Sequence, residues 1–230
     1  MTIGIIAAMQ MELDGLKTVM ADAVTETVSG MEFVRGRIAG KNVVAVVCGI
    51  GKVFAAMCAQ TLILKYAPDA VLNIGVAGAV GPGLRVLDLV VADRVCQHDL
   101  DTSPLGDPVG MVSGVNLVYF PADPGLSGAL LRAAAGCGYS AVAGTVASGD
   151  QFVADPARKE QIHTLFGAAA VEMEGGSVAQ VCAVNAVPFA VLRCVSDGDG
   201  GGMDYETFAP RAARQSIDVV LRFLEYEVTV

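Results

Sequence analysis

The chain has 230 residues, 53% hydrophobic and 17% charged, with a formal net charge of −9. This length suits one large α/β domain over 1–230, and an acidic chain without a basic block excludes nucleic acid and membrane surfaces as expected partners. No apolar run reaches the roughly 18 residues of a spanning helix, and "MTIGIIAAMQMEL" lacks the basic region of a secretion signal. The six cysteines (Cys48, Cys58, Cys96, Cys137, Cys182, Cys194) form no C-x-x-C pair. They are expected as small buried hydrophobes of a cytoplasmic protein.

In chain order, "IGIIAA" (3–8) is a strand covered on both faces, and Met9 to Met20 takes helical spacing through Met9, Leu13, Leu16 and Met20. "VRGRIAG" and "NVVAVVC" are strands joined across Gly40-Lys41, and 51–67 is a helix stopping before Pro68. Strands over 70–78 and 88–97 flank the glycine-rich "GAVGPGL", and a loop region with four prolines covers 98–125. Then come a helix over 125–138, a strand over 141–149 and a helix in "DPARKEQIHTLF" with Pro156 at its start. A helix over 176–186, a strand in "PFAVLRCVS" and an amphipathic helix over 205–227 close the chain. Strand and helix in alternation predict a three-layer α/β architecture.

Several motifs fail on their chemistry. "GIGK" (49–52) lacks the first glycine of a phosphate loop and has Val53 where a hydroxyl would hold magnesium. "GVAGAVG" (75–81) has the wrong glycine spacing for a dinucleotide fingerprint and leads into a strand, so it predicts close backbone approach instead. "DGDGGGMDYE" (197–206) begins like a calcium loop, but Phe208 stands where the bidentate glutamate belongs. "HDLD" (98–101) and His163 are expected as surface polar residues.

The acids at the ends of apolar elements are more informative. Glu12 follows a buried strand at its carboxyl end, where α/β sheets place ligands. Asp197 ends "FAVLRCVSD", with Arg193 expected on the same face by period two. In "AAAVEMEGG", Glu174 precedes a helix, and Glu172 is expected to make a structural hydrogen bond. For each acid alone, a helix cap or a surface group is as good a reading as a functional one. Together they suit general acid–base chemistry on a small polar substrate.

Taken in order, "IGIIAAMQMEL", "CGIGKVFAA", "NIGVAGAVGPGLRVLDLVVAD", "SGDQFV", "AVEMEG" and "RCVSDGDG" resemble the 5′-methylthioadenosine/S-adenosylhomocysteine nucleosidases of the nucleoside phosphorylase superfamily. The resemblance covers nearly the whole chain. It implies a three-layer αβα sandwich around a central mixed, partly barrel-like sheet, assembled as a homodimer. It also implies hydrolysis of the N-glycosidic bond of adenine thionucleosides, and of 5′-deoxyadenosine, with no cofactor and no metal.

Carried over motif by motif, Glu12 would be the general base toward water, and Asp197 the general acid toward the purine N7, with Ser196 beside it. Glu174 would hold the ribose hydroxyls, Met173 would pack on the sugar, and Arg193 would position the water or Glu174. Phe152 would stack on the purine and the Val153 backbone would read its edge. Met9, Ile50 and Phe208 would line the sugar and 5′-substituent, and Gly78 would let backbone approach the ligand. The chain departs from the family at Val76, where Ser is common, and at Leu105, where an aromatic is frequent. Asn73 and Val76 stand where phosphorylases of the superfamily use Arg and Ser for phosphate. A futalosine-type nucleosidase, a nucleoside phosphorylase and a non-catalytic nucleoside-binding protein are the competing readings.

Overall fold

β1 (Thr2–Ala7) sits at the centre of the apolar pattern, paired in parallel with β4 (Lys41–Val47) on one side and β5 (Ala70–Ala79) on the other. The computed structural model describes residues 1–198 and 202–227. β1 is apolar without alternation because helices cover both of its faces. Ile3 and Ile5 enter one core cluster and Ile6 the other.

Beyond β4 the sheet continues antiparallel through β3 (Met31–Ile38) to β2 (Ala21–Val28). The β3–β4 turn lies at Ala39-Gly40, one residue before the expected position, with φ of +48° and +78°. Two successive positive φ values match the twist of a two-residue hairpin. β2 is an exposed edge strand with the sequence ADAVTETV. It carries no core-facing alternation, so only its pairing with β3 makes it a strand.

On the other side of β1 the sheet curls into a ring. β5 pairs in parallel with β10 (Phe189–Asp197), and β10 runs antiparallel to β6 (Leu89–Gln97). β6 pairs with β8 (Ala141–Ser148) and β8 with β9 (Ala168–Glu172), both in parallel. β9 returns antiparallel to β5 through Gly78↔Val171 and Ala79↔Ala170, closing five strands. The short β7 (Phe120–Pro121) borders β6. The mixed, partly barrel-like sheet expected from the resemblance is therefore present.

One face is packed by α1 (Asp14–Val19), α3 (Pro124–Gly136) and α6 (Gly202–Glu225) through Leu16, Leu130 and Phe223. The other is packed by α2 (Lys52–Tyr66) and α5 (Gly175–Val184) through Leu62, Cys58 and Cys182. α4 (Pro156–Phe166) covers a third cluster through Ile162 and Phe166. α3 and α4 each begin on proline after a capping aspartate, Asp123 and Asp155; Pro156 is the start expected for α4, while α3 begins one residue before the expected 125. All six cysteines are free, and five of them are buried. The single helix expected over Met9–Met20 is instead a 3-10 turn at Gln10–Glu12 followed by α1. The break arises because Glu12 turns back onto the end of β1.

Gly176 shows how tightly α5 sits on the ring. A Cβ there would stand 2.9 Å from Gln97 Cγ, 3.0 Å from the Cys96 carbonyl and 3.0 Å from Ser148 Cβ. On an open helix, replacing glycine improves propensity by up to about 1 kcal/mol. Here overpacking against backbone wins. Gly176→Val is expected to destabilise the protein by about 1–3 kcal/mol in urea unfolding, and unchanged or higher stability would contradict this packing.

Candidate active site

β1, β5, β9 and β10 bring four carboxylates together where their ends converge. Glu12, Glu172, Glu174 and Asp197 are only 2–7% exposed, so each needs a compensating partner or must give up its charge.

Glu12 is held by backbone. Its Oε2 accepts the amides of Ala8 at 3.0 Å and Met9 at 2.9 Å, and its Oε1 accepts the Val76 amide of β5 at 3.0 Å. Gly75 makes the space, because a Cβ at that position would lie 2.7 Å from Oε1. Burial pushes the Glu12 carboxyl above its ordinary range, while the amide donors and the Arg193 charge pull it back toward the anion.

Glu172 and Glu174 are two residues apart but do not share a role. β9 ends at Glu172, and Glu174 stands at the N-cap of α5 instead of continuing the strand. Glu172 bonds the Arg193 guanidinium and the Ser148 hydroxyl. Its Oε2 also accepts the amides of Glu174 at 2.9 Å and Gly175 at 2.7 Å. Burial opposes its charge, but Arg193 and these donors prevail and hold its carboxyl below the usual range. Both residues border the cavity, but Glu174 is free of the guanidinium, with Oε1 accepting the Gly51 amide at 2.8 Å. Burial, then the Glu172 charge, push the Glu174 carboxyl up to about 7.

Arg193 was expected beside Glu174 or a water. It lies behind the cavity wall, bonded to Glu172, to the Asn73 side chain and to the carbonyls of Asn73 at 3.1 Å and Leu192 at 3.0 Å. A register shift between Val195 and Asp197 breaks the alternation that predicts one shared face. Asp197 reaches the cavity, where Oδ1 accepts the Ser196 hydroxyl at 3.0 Å. Gly78 makes room for it, since a Cβ there would come 2.9 Å from Oδ2. Burial pushes the Asp197 carboxyl up.

Glu12, Glu174 and Asp197 open into a cavity of about 330 Å³ lined also by Met9, Ile50, Gly78, Phe152, Val153, Met173 and Ser196. Ile50 and Phe152 stand half-exposed at its mouth, at 54% and 52%. Such a cavity, mostly apolar with a few converging carboxyls, fits a small molecule that is part ring and part polyol.

The family model for the phosphorylase superfamily matches residues 2–225. A 5′-methylthioadenosine/S-adenosylhomocysteine nucleosidase of Shewanella putrefaciens is 38% identical, with 98% of this chain and 99% of that protein covered. A nucleosidase of the same name from Colwellia psychrerythraea, solved in complex with adenine, superposes with a TM-score of 0.94 at 33% identity. That match covers 100% of this chain and 98% of the other. A futalosine hydrolase of Helicobacter pylori superposes with a TM-score of 0.92 at 32% identity, covering 97% of each chain. The chain belongs to the 5′-methylthioadenosine/S-adenosylhomocysteine nucleosidases of the phosphorylase superfamily.

Against the family expectation, Phe208 does not reach the cavity wall; Tyr205, three residues earlier on α6, does. The Tyr205 hydroxyl lies 3.2 Å from Met9 Sδ, and its ring meets Phe152 edge-on at 5.5 Å. The sequence signal for Tyr205 was an aromatic in the glycine- and aspartate-rich 197–206 stretch, whose residues 199–201 lie outside the described ones. The surface reading of "HDLD" holds only for Asp101. His98 is buried, and Asp99 pairs with Lys52 at 2.6 Å and accepts the Asp150 amide at 2.8 Å. The lysine of "GIGK" thus ties two loops together. His163 is half-buried, with Nδ1 2.8 Å from the Ala168 carbonyl.

The Glu172–Arg193 pair makes the sharpest test of this arrangement. Arg193→Met leaves a buried carboxylate without its cation and is expected to destabilise the protein by about 3–5 kcal/mol at neutral pH. Because the folded pKa of Glu172 is depressed from 4.5, the pair's contribution is present above that value and fades as pH falls through the folded pKa. Urea unfolding of both proteins across pH should show the gap narrowing in acid; a gap constant with pH would contradict the pairing.

Proposed function

We propose that the chain hydrolyses the N-glycosidic bond of 5′-methylthioadenosine and S-adenosylhomocysteine, and of 5′-deoxyadenosine, releasing adenine and the 5-substituted ribose. The carrying observation is one cavity bordered by four buried carboxyls, Glu12, Glu172, Glu174 and Asp197, in environments of different charge preference. Cleaving a ribose–purine bond builds positive charge on the sugar, as in the oxocarbenium-like transition states of glycosidases. A preorganised anion beside the ribose stabilises that charge in a dry site. Asp197, raised by burial, is suited to carry the proton that goes to purine N7 as the C1′–N9 electrons leave with the ring.

Glu12, whose two oxygens accept three backbone amides, is suited to stay ionised and take a proton from the water attacking C1′. Glu174 holds the ribose hydroxyls and Met173 packs on the sugar. Phe152 stacks on the base, the Val153 backbone reads its edge, and Met9 and Ile50 line the sugar and 5′-substituent. Ser196 steadies Asp197. Arg193 acts indirectly, by holding Glu172. Tyr205 joins the apolar lining in the place expected of Phe208.

Water is favoured over phosphate as the nucleophile. Asn73, where the phosphorylases of the resemblance carry Arg, is buried and engaged with Arg193 and the Ile6 carbonyl. No Lys or Arg among the described residues lines the cavity, so a phosphate dianion would meet carboxylates there.

The reading includes one domain over 1–230, a homodimer and a cytoplasmic location. The exposed apolar side chains Val53, Phe54, Met57 and Leu64 of α2, with Leu105 at 84% exposure, support self-association. The free cysteines support a reducing compartment. A second reading, cleavage of futalosine-type nucleosides, is favoured by the similarity to the Helicobacter pylori futalosine hydrolase.

Adenine release from 5′-methylthioadenosine in phosphate-free buffer is the direct assay. Release that requires added phosphate, or that occurs only from futalosine, would overturn the first reading. Glu12→Gln and Asp197→Asn are each expected to lower kcat by about 10²–10⁴-fold while remaining folded by circular dichroism. The rate should fall in acid as Glu12 takes up a proton and fall in alkali as Asp197 loses one. A folded variant with wild-type turnover would remove that residue from its role.

A further inference from the structure

α4 carries its buried stripe on Lys159, Ile162 and Phe166, so a lysine occupies a position where helical spacing calls for an apolar side chain. Lys159 is only 5% exposed, and buried lysines are rare unless paired. Its Nζ lies 3.4 Å from Asp197 Oδ2 and donates to the Gly198 carbonyl at 2.6 Å. One ammonium therefore grips both the side chain of Asp197 and the backbone just beyond it, where β10 ends. The preceding residue, Arg158, faces away and meets the His98 ring and carbonyl.

We propose that Lys159 is a positioning residue for Asp197: it aims the carboxyl into the cavity and stabilises the carboxylate left when the proton has moved to the departing purine. The inference rests on the reading of Asp197 as general acid. In the step, the Asp197 O–H bond breaks, an N7–H bond forms, and the C1′–N9 electron pair stays on the adenine. No bond to Lys159 forms or breaks in the step, and the anion created on Asp197 is born 3.4 Å from the Lys159 Nζ. A nearby cation makes a carboxyl a stronger acid, in the direction opposite to burial.

Of the other groups facing Asp197, only the Ser196 hydroxyl acts in the same direction, and it does so as a hydrogen-bond donor without charge. From β10 comes the neutral Ser196 hydroxyl, and from β5 only Gly78. From α6 come Asp204, whose charge raises the Asp197 pKa, and the Tyr205 phenol, itself pushed up by burial and by the surrounding acids. Among the described residues, α4 thus supplies the one cation set against burial and a neighbouring acid.

The test compares pH–rate profiles of wild type, Lys159→Met and Lys159→Gln on 5′-methylthioadenosine. Removing the cation should move the alkaline limb upward by about one pH unit or more, because Asp197 then keeps its proton to higher pH. The plateau kcat should fall about tenfold or more while KM changes little, since a weaker acid transfers its proton less readily. Folded variants with an unmoved or downward-shifted alkaline limb would overturn the proposal.

A second measurement uses the unmodified protein, free of nucleoside. The ¹⁵N resonance of the Lys159 ammonium should shift with pH at the midpoint of the alkaline limb, and Asp197→Asn should abolish that shift. A resonance that does not respond to Asp197 would overturn the proposal whether or not the variants fold. If wild type releases no adenine, the parent reading fails by itself. If wild type is active, Asp197→Asn is inactive and the Lys159 variants keep the wild-type limb, only the present inference fails.

Discussion

The buried ion pair between Glu172 and Arg193 is the constraint around which the rest of the site is built. It joins β9 to β10, reaches β5 through Asn73 and β8 through Ser148, and takes two amides from the start of α5. Buried pairs contribute little net stability, because desolvation offsets much of their attraction. Their effect here is positional. The Glu174 amide donates to Glu172, so an acid with no assigned contact to substrate fixes the backbone of the acid that faces the cavity.

Around that pair, one chemical group is set to several protonation preferences by its surroundings alone. Glu172, beside a guanidinium and three further donors, is driven toward the anion. Glu174 lies next to that anion, and burial together with its neighbour's charge moves it to about 7. Glu12 and Asp197 are raised by burial, but backbone amides oppose the rise in the first and a lysine and a serine oppose it in the second. Separating the affinities of like groups lets one fold hold both an acid and a base at one pH.

Much of this was legible in the sequence, for identifiable reasons. β1, β5 and β10 are apolar runs, and their carboxyl ends locate Glu12 and Asp197 without knowledge of the partners. β2 was not legible, since a solvated edge strand has no core to impose alternation. Strand periodicity also failed past Val195, where the register shifts and separates Arg193 from Asp197. Contacts between distant segments were the other gap. Asp99 and Lys52 are 47 residues apart, Lys159 and Asp197 are 38 apart, and neither pair leaves a trace in local spacing. Tyr205 rather than Phe208 lines the cavity because the rotation of α6 about its axis is set by packing, not by which aromatic stands nearer a motif.

The glycines at 75, 78 and 175 each abut one acid, with virtual Cβ distances of 2.7 Å to Glu12, 2.9 Å to Asp197 and 3.1 Å to Glu172. Absent atoms are thus part of the site, because each carboxyl occupies volume that any side chain on the neighbouring backbone would claim. One consequence concerns how such a protein drifts. A methyl group at Gly78 leaves the strand's hydrogen-bonding capacity intact while pressing on Asp197. A change to alanine there can therefore displace the carboxyl while the fold is kept and no charged residue has changed.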